Sequence, residues 1–206
     1  LRFMDVCKNL KQREYAAWRR ESAENFVLAL LILLCCFLLW TRFCWLSYVE
    51  VSGNSMNDTL QSGDVLIVDR LANVKRGDVV VFTTDEYNGY TTSYIKRVIA
   101  VAGDEIKIEN GKVFRKNAGE TEFKVLNEPY AKGYTEAKNF PAGGETLKIA
   151  DGKIFVMGDN RLVSHDSRAF GEVDLNCVDG TVPEISIKYR GVLNYFYGAK
   201  TAKKSA

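Results

Sequence analysis

The sequence predicts a mostly β domain that follows one N-terminal transmembrane helix. A long run without polar side chains lies near the start of the chain, and short β-branched segments separated by Gly-containing turns dominate after it. No later stretch has the pattern of a long amphipathic helix. The 206 residues, 47% of them apolar, are enough for one domain with a sizeable core.

The apolar run has the length of a membrane span. It continues without a polar side chain from Phe26 to Trp40. Extended to Leu46 it has about 21 residues and would reach about 30 Å, the thickness of the hydrocarbon core of a bilayer. It is long for a signal peptide, and no clear small-x-small cleavage site follows it. We therefore predict a transmembrane helix at 26–46, with the lipid bilayer as a partner.

The charges around this helix predict its orientation. The basic residues ahead of it are Arg2, Lys8, Lys11, Arg13, Arg19 and Arg20. Arg42 is the only basic residue close behind the apolar run that ends at Trp40. The positive-inside rule then predicts a cytoplasmic segment at 1–25 and an extracytoplasmic domain from about Ser47 onward, in a single-pass protein of the cell membrane.

The remainder of the chain is divided by strand signals. In order these are "YVEVS" at 48–52, "DVLIVDRL" at 64–71, "GDVVVFTT" at 77–84, "SYIKRVIAVAGD" at 93–104, "EIKIENGKVFR" at 105–115, "TLKIADGKIFVMGDN" at 146–160 and "PEISIKYRGVLNYF" at 183–196. Asn-Gly in the fifth and Asp-Gly in the sixth predict hairpins. We predict a catalytic β domain at 47–190, an insertion or cap at about 117–144, and a C-terminal tail at 191–206.

The composition argues against several classes of function. A net charge of +2 gives no reason to expect a nucleic-acid partner. Cys177 is the only cysteine of the polar part, so that part has no internal disulfide. His165 is the only histidine, and neither Cys/His spacing nor clustered Asp residues indicate a metal site. We therefore expect no metal and no cofactor.

The first stretch that could carry chemistry is "GNSMNDTLQSGD" at 53–64. Ser55 with Asp58 fits a Ser-x-x-acid capping box, which would make the serine a purely structural residue. A serine in a tight turn can instead be a nucleophile. The stretch alone does not decide between the two.

The second stretch is "YIKRVIAVAGD" at 94–104. On a strand, Tyr94, Lys96, Val98 and Ala100 would share one face. Burial there would lower the pKa of the Lys96 amine, which could then act as a neutral general base. The alternative is a lysine at a sheet edge with its amine in water.

The third stretch is "MGDNRLVSHDSRAFGEV" at 157–173, which is either a solvated loop or a site-building loop. His165 and Asp166 are adjacent in sequence, which rarely permits the alignment of a Ser-His-Asp triad. A Ser-Lys pair needs only one amine within hydrogen-bond reach of the hydroxyl. Lys96 is therefore the better partner for Ser55.

Together these stretches resemble bacterial type I signal peptidases (leader peptidases), particularly the single-anchor, Gram-positive-like form. That family carries Ser-Met-x-Pro-Thr-Leu, and this chain has "SMNDTL" at 55–60. It carries Tyr-x-Lys-Arg-Val-Ile followed by Gly-Asp, matched at 94–99 and 103–104. It carries Gly-Asp-Asn-Arg, then Ser-x-Asp-Ser-Arg and Gly, matched at 158–171. The resemblance extends from the helix to about Val182.

The resemblance implies an antiparallel, signal-peptidase-like β domain and a serine endopeptidase that removes signal peptides from preproteins after small residues. Ser55 would be the nucleophile, Lys96 the general base, and the Ser55 N–H one oxyanion donor. Ser164 would orient the lysine amine. The residues expected to support the site are Asp159 and an ion pair formed by Asp166 and Arg168.

Contacts with the signal peptide are expected at Gly53, Met56 and Val98, while His165 falls on a variable position. Two residues depart from the family pattern: Asp58 and Ala102 stand where prolines are common. Some members also carry a serine at the position of Gly53 as a side-chain oxyanion donor, so the second donor here is not identified.

Two other functions are compatible with an anchored β domain. A sortase-like transpeptidase would use Cys177, His165 and Arg190, but the expected Thr-Leu-x-Thr-Cys stretch is missing. A membrane-tethered binding module would have kept the fold and lost activity, although all the matched catalytic positions are filled.

Overall fold

The computed structural model describes residues 19, 22–41, 46–85, 91–141 and 144–197, which fall into two compact units divided between Trp45 and Leu46. The first unit contains helix α1, Ser22–Thr41, which is long and apolar enough to cross a membrane. The predicted helix limit at Leu46 is wrong, because Leu46 is the first residue of a strand. Most of the predicted cytoplasmic segment at 1–25 lies outside the described residues.

The second unit is built from two antiparallel sheets, which confirms the predicted fold class. The larger has the strand order β1-β2-β11-β3-β4-β9-β10 and the smaller β7-β6-β5-β8. The strands are β1 Leu46–Glu50, β2 Val65–Asp69, β3 Val79–Asp85, β4 Thr91–Val101, β5 Glu105–Glu109, β6 Lys112–Lys116, β7 Lys124–Val125, β8 Leu147–Lys148, β9 Lys153–Met157, β10 Val173–Asp174 and β11 Val178–Val182. Short helices are α2 Ser167–Phe170, a 3-10 turn Leu175–Cys177, α3 Glu184–Lys188 and α4 Arg190–Tyr197.

One of the two predicted hairpins is formed. β5 and β6 pair directly across Asn110 and Gly111, whose positive φ angles of 48° and 75° suit a tight type I′ turn. The Asp-Gly hairpin prediction is wrong, because β8 pairs with β5 while β9 pairs with β4 and β10. Two backbone hydrogen bonds hold the chain where it moves from one sheet to the other. The Ile149 N–H donates to the Asp104 carbonyl, and the Gly103 N–H donates to the Ile149 carbonyl.

The predicted insertion corresponds only in part to the smaller sheet. That sheet begins at Glu105, ahead of 117, and its last strand ends at Lys148. Residues within 117–144 are also tied to the loop that follows β9. Arg161, which is 1% exposed, binds the Glu128 carboxylate at 2.6 Å.

The core consists of three apolar clusters. One lies between the two sheets and includes Ile99, Ala100, Ile106 and Phe155. A register shift between β4 and β9 at Val98 and Ala100 turns Ile99 and Ala100 both toward this cluster. Because of this bulge, the predicted common face of β4 ends at Val98 and does not include Ala100.

The C-terminal strand predicted at 183–196 is wrong, since α3 and α4 occupy this region. β11 pairs with β2 only at Thr181, so two N–H groups of β2 need other partners. Ser186 Oγ accepts the N–H of Ile67 at 2.8 Å, and Asn194 Oδ1 accepts the N–H of Val65 at 2.8 Å. The domain therefore continues through α4, and only 198–206 of the predicted tail lies outside the described residues.

We expect Asn194→Ala to lower the free energy of unfolding by about 1–2 kcal/mol, because the Val65 N–H loses its acceptor. The side chain also donates to Asp64 Oδ1 at 2.8 Å, and this bond is lost too. Urea unfolding of the full chain in detergent measures the change. Tyr195→Ala, on the same helix but 77% exposed, is the control and should change stability by less than about 0.5 kcal/mol. Equal stability of the Asn194 and Tyr195 variants would contradict this account of α4.

Candidate active site

Ser55 lies in a turn that is held in place by two buried apolar side chains. Met56 is 1% exposed and Leu60 is fully buried, and the Leu60 N–H donates to the Met56 carbonyl at 2.9 Å. The alternative capping box does not form. Asp58 instead pairs with Lys132 Nζ at 3.1 Å, and the Ser55 hydroxyl has a different partner.

That partner is the amine of Lys96, whose Nζ lies 2.8 Å from Ser55 Oγ. Lys96 belongs to β4, an interior strand between β3 and β9, and is 3% exposed. Nζ also donates to the Ile95 carbonyl at 3.1 Å and lies 5.2 Å from the centre of the Tyr94 ring. A lysine with its amine in water is thus the wrong alternative.

Burial lowers the pKa of Lys96 to about 8, although the nearby charge of Asp166 acts in the opposite direction. At pH 7 about a tenth of the amine is therefore neutral, whereas an unperturbed lysine is almost fully protonated. A neutral amine in hydrogen-bond contact with a hydroxyl can accept its proton. The pair can therefore generate an alkoxide-like nucleophile.

Most polar side chains of the loop after β9 are buried, although Leu162, Val163 and His165 are exposed, so a solvated loop is the wrong alternative for this stretch. Asp166 and Arg168 are both fully buried and form a bidentate ion pair, with Nε–Oδ1 and Nη2–Oδ2 distances of 2.9 Å. Asp166 also accepts the Gly158 N–H at 3.0 Å. Burial by itself would raise the pKa of the Asp166 carboxyl, but these hydrogen bonds and the Arg168 charge keep it below the usual value.

Ser164 lies in this loop next to the nucleophile turn. Its hydroxyl is fully buried and helps to lower the pKa of the neighbouring Asp166, but no hydrogen bond joins it to the Lys96 amine, so the expected bond is not present. A Cβ added to Gly158 would collide with Ser164 Oγ and with the Ser55 carbonyl oxygen. Only glycine therefore allows the two serines to come this close.

Asp159 connects all three stretches. Its buried carboxylate accepts hydrogen bonds from Arg97 Nε at 2.8 Å and Arg97 Nη2 at 2.7 Å. The same carboxylate accepts the Thr59 hydroxyl at 2.6 Å. Thr59 follows Ser55 and Arg97 follows Lys96, so Asp159 restrains both candidate catalytic segments.

Asn160 makes contacts with the Ser55 turn that the sequence did not predict. Its backbone N–H donates to the Ser55 carbonyl at 3.0 Å, and its Nδ2 donates to the Asn54 carbonyl at 3.2 Å. The Gly-Asp-Asn stretch indicates turn chemistry, and nothing in that pattern reveals a contact more than a hundred residues away in sequence.

A cavity of about 760 Å³ opens beside Ser55 and Lys96. Gly53 and Met56 line it, as does the exposed His165. The substrate contact predicted for Val98 is wrong, because Val98 is 1% exposed and packs in a core cluster with Val80 and Phe82. Val81 and Ile95, on the other face of the sheet, line the cavity instead.

The three residues of the alternative, sortase-like mechanism do not all line this cavity. Neither Cys177 nor Arg190 lines the cavity, and Arg190 Nε binds Asp64 at 3.2 Å. Within the part of the chain that the structure describes, no group of three or more His, Cys, Asp or Glu side chains could hold a metal ion.

Comparison with known proteins agrees with these motifs. The family described as signal peptidase, peptidase S26, matches residues 23–187. A signal peptidase I of Bacillus caldolyticus is 37% identical over 68% of this chain and 78% of its own length, and one of Bacillus licheniformis is 33% identical over 79% and 88%. A signal peptidase IB of Staphylococcus aureus is 30% identical over 83% and 88%.

A crystal structure of a signal peptidase I from Enterococcus faecalis aligns with 54% of this chain and 98% of its own, at 26% identity and a TM-score of 0.42. The family match covers most of the sequence and contains Ser55, Lys96 and the buried loop after β9. The chain therefore belongs to the signal peptidase family, peptidase S26.

Proposed function

We propose that this protein is a membrane-bound serine endopeptidase that removes signal peptides from exported preproteins, with Ser55 as nucleophile and Lys96 as general base. The observation that carries the proposal is the 2.8 Å contact between Ser55 Oγ and a buried lysine amine. The relatives from Bacillus and Staphylococcus named as signal peptidases support the substrate class.

The reaction begins with proton transfer from Ser55 Oγ to the neutral Lys96 amine as the oxygen attacks the scissile carbonyl carbon. The carbonyl oxygen takes up the negative charge and is stabilised by the Ser55 N–H. The Lys96 ammonium then gives its proton to the leaving amine, which departs as the new N-terminus. A water then gives its proton to Lys96 and attacks the acyl carbon, and the ammonium returns that proton to Ser55 Oγ as the ester bond breaks.

The buried loop after β9 sets the electrostatics of this cycle. Asp166 favours the charged form of Lys96, but its carboxylate is already bound by Arg168, so burial is the larger effect on the amine. The same carboxylate stabilises the ammonium that forms during the attack. Ser164 is buried beside Gly158, but it makes no hydrogen bond to the Lys96 amine, so we assign it no part in orienting that amine.

The cavity suits an extended segment with small side chains. Its walls near the dyad include the apolar side chains of Val81 and Ile95, and Gly53 adds no side chain on the approach to Ser55. We expect cleavage after Ala-x-Ala-like sequences. The helix α1 would anchor the protein in one pass, with the N-terminus in the cytoplasm and the β domain outside, where a signal peptide emerges from the bilayer.

We expect Ser55→Ala to reduce preprotein cleavage by at least about a thousandfold, since no other hydroxyl contacts the Lys96 amine in the described structure. The assay is cleavage of a purified preprotein by the full chain in detergent, with unfolding measured in parallel. Near-normal turnover by a folded alanine variant would contradict the nucleophile assignment. Absence of cleavage by the folded wild-type chain would instead favour the non-catalytic binding module.

We expect kcat/KM to rise with pH through a midpoint near 8 and then level off. The base must be neutral, and burial places the pKa of Lys96 at about 8, so the neutral fraction increases about tenfold per pH unit below that value.

The companion variant Lys96→Arg should be inactive at every pH, because a guanidinium stays protonated. Cleavage rates from pH 6 to 10 test both statements. An active arginine variant, or a rise only above about pH 10, would mean that another group deprotonates Ser55.

Cys177→Ser and His165→Ala should each keep at least about half of the wild-type activity. Cys177 is exposed and does not line the cavity, and the ring of His165, which lines the cavity, packs against Tyr94 and Phe170. The same preprotein assay applies. A hundredfold loss in a folded His165→Ala protein would favour a histidine-based mechanism over the Ser-Lys pair.

A further inference from the structure

The peptide units on both sides of Ser55 are held by one residue from a distant part of the chain. The carbonyl of Asn54 accepts Asn160 Nδ2 at 3.2 Å, and the carbonyl of Ser55 accepts the Asn160 backbone N–H at 3.0 Å. The N–H of Ser55 donates no hydrogen bond within the described residues. A free N–H beside a nucleophile is available to a negatively charged oxygen.

The bond from the Asn160 side chain controls the direction of that N–H. The Asn54 carbonyl and the Ser55 N–H belong to the same planar peptide unit, where a trans peptide makes them point in opposite directions. Holding the carbonyl toward Asn160 therefore turns the N–H away from Asn160. Rotation of this unit about its flanking bonds would exchange the two groups and present a carbonyl oxygen where the donor should be.

We propose that Asn160 is a positioning residue that orients the Ser55 N–H as an oxyanion donor by binding the carbonyl of the same peptide unit. This rests on the proposed role of Ser55 as nucleophile. A carbonyl that accepts a hydrogen bond also polarises its own peptide unit, which strengthens the N–H as a donor. Asn160 lines the same cavity as Ser55, and the proposed effect on the transition state runs through the backbone of the Ser55 turn.

The backbone of Asn160 is restrained well enough to serve this purpose. Asn160 forms an isolated β-bridge with Lys132, and the Lys132 N–H donates to the Asp159 carbonyl at 2.7 Å. The Asn160 carbonyl accepts the Ser164 N–H at 3.1 Å. The preceding residue, Asp159, is buried and bound to Arg97. The Asn160 side chain therefore extends from a backbone position that these contacts fix.

The test uses the full chain in detergent with a preprotein substrate. Asn160→Ala removes the Nδ2 donor but keeps the backbone bond to Ser55. We expect kcat to fall about tenfold, KM to change less than twofold, and the midpoint of the pH profile to stay within half a unit, because the surroundings of Lys96 are unchanged. Asn160→Asp keeps the shape without the donor and should lose at least as much.

A peptide aldehyde that ends in Ala-x-Ala provides an independent readout. Ser55 Oγ would add to its carbonyl carbon, and the resulting oxygen, whether charged or protonated from Lys96, would lie beside the Ser55 N–H. Its affinity should fall in Asn160→Ala by about the same factor as kcat/KM. A structural role alone would change the unfolding midpoint without this parallel.

The matched control is Asn139→Ala. Asn139 Nδ2 also donates to a backbone carbonyl, that of Ala169 at 3.3 Å, but it does not line the cavity. This variant should retain wild-type kcat and aldehyde affinity.

Three results would overturn the inference: a kcat for Asn160→Ala within twofold of wild type, a loss confined to KM, or a shifted pH midpoint. If Asn160→Ala does not fold, Asn160→Asp decides by kcat and KM alone, because its added carboxylate would by itself raise the pKa of Lys96. The proposed function fails separately, since it requires Ser55→Ala to be inactive. An inactive Ser55→Ala chain beside a fully active Asn160→Ala chain would contradict this inference alone.

Discussion

The amine of Lys96, held out of water on an interior strand, is the constraint to which the rest of the site is adjusted. A charged ammonium is costly in such a place, so burial favours the neutral form that a general base requires. Too many uncompensated negative charges nearby would reverse this effect. Asp166 is the charge that raises the pKa of Lys96, and its carboxylate is already bound by Arg168 and the Gly158 N–H.

Buried ion pairs therefore serve geometry more than stability here. Replacing such a pair by apolar side chains often leaves a protein equally stable, so its presence is weak evidence for a gain in folding free energy. Asp159 joins Thr59 and Arg97, and each of these lies within a few residues of Ser55 or Lys96. The carboxylate sets the spacing between the nucleophile turn and β4, and the neighbouring Asn160 sets the orientation of the turn itself.

Local signals were reliable where a few adjacent residues determine the conformation. Asn110 and Gly111 both adopt positive φ, so their hairpin was predictable from two residues. The Asp-Gly turn at 151–152 has the same local signal, but the strands beside it pair with distant partners in different sheets. The alternating pattern at 183–196 predicted a strand, but this segment forms α3 and α4. Their side chains accept the N–H groups of β2 that have no partner strand.

The sequence by itself determined the apolar helix and the mostly β domain and indicated Ser55 and Lys96 as the proposed dyad, because length, strand periodicity and three ordered motifs are all present along the chain. It also indicated Asp159, Asp166 and Arg168 as supporting residues. Only the tertiary structure decided that Ser55 and Lys96 meet at 2.8 Å, that Val98 packs in the core, and that Asn160 holds the Ser55 turn. Those contacts join segments far apart in sequence, and strand register and backbone direction, which no local pattern specifies, bring them together.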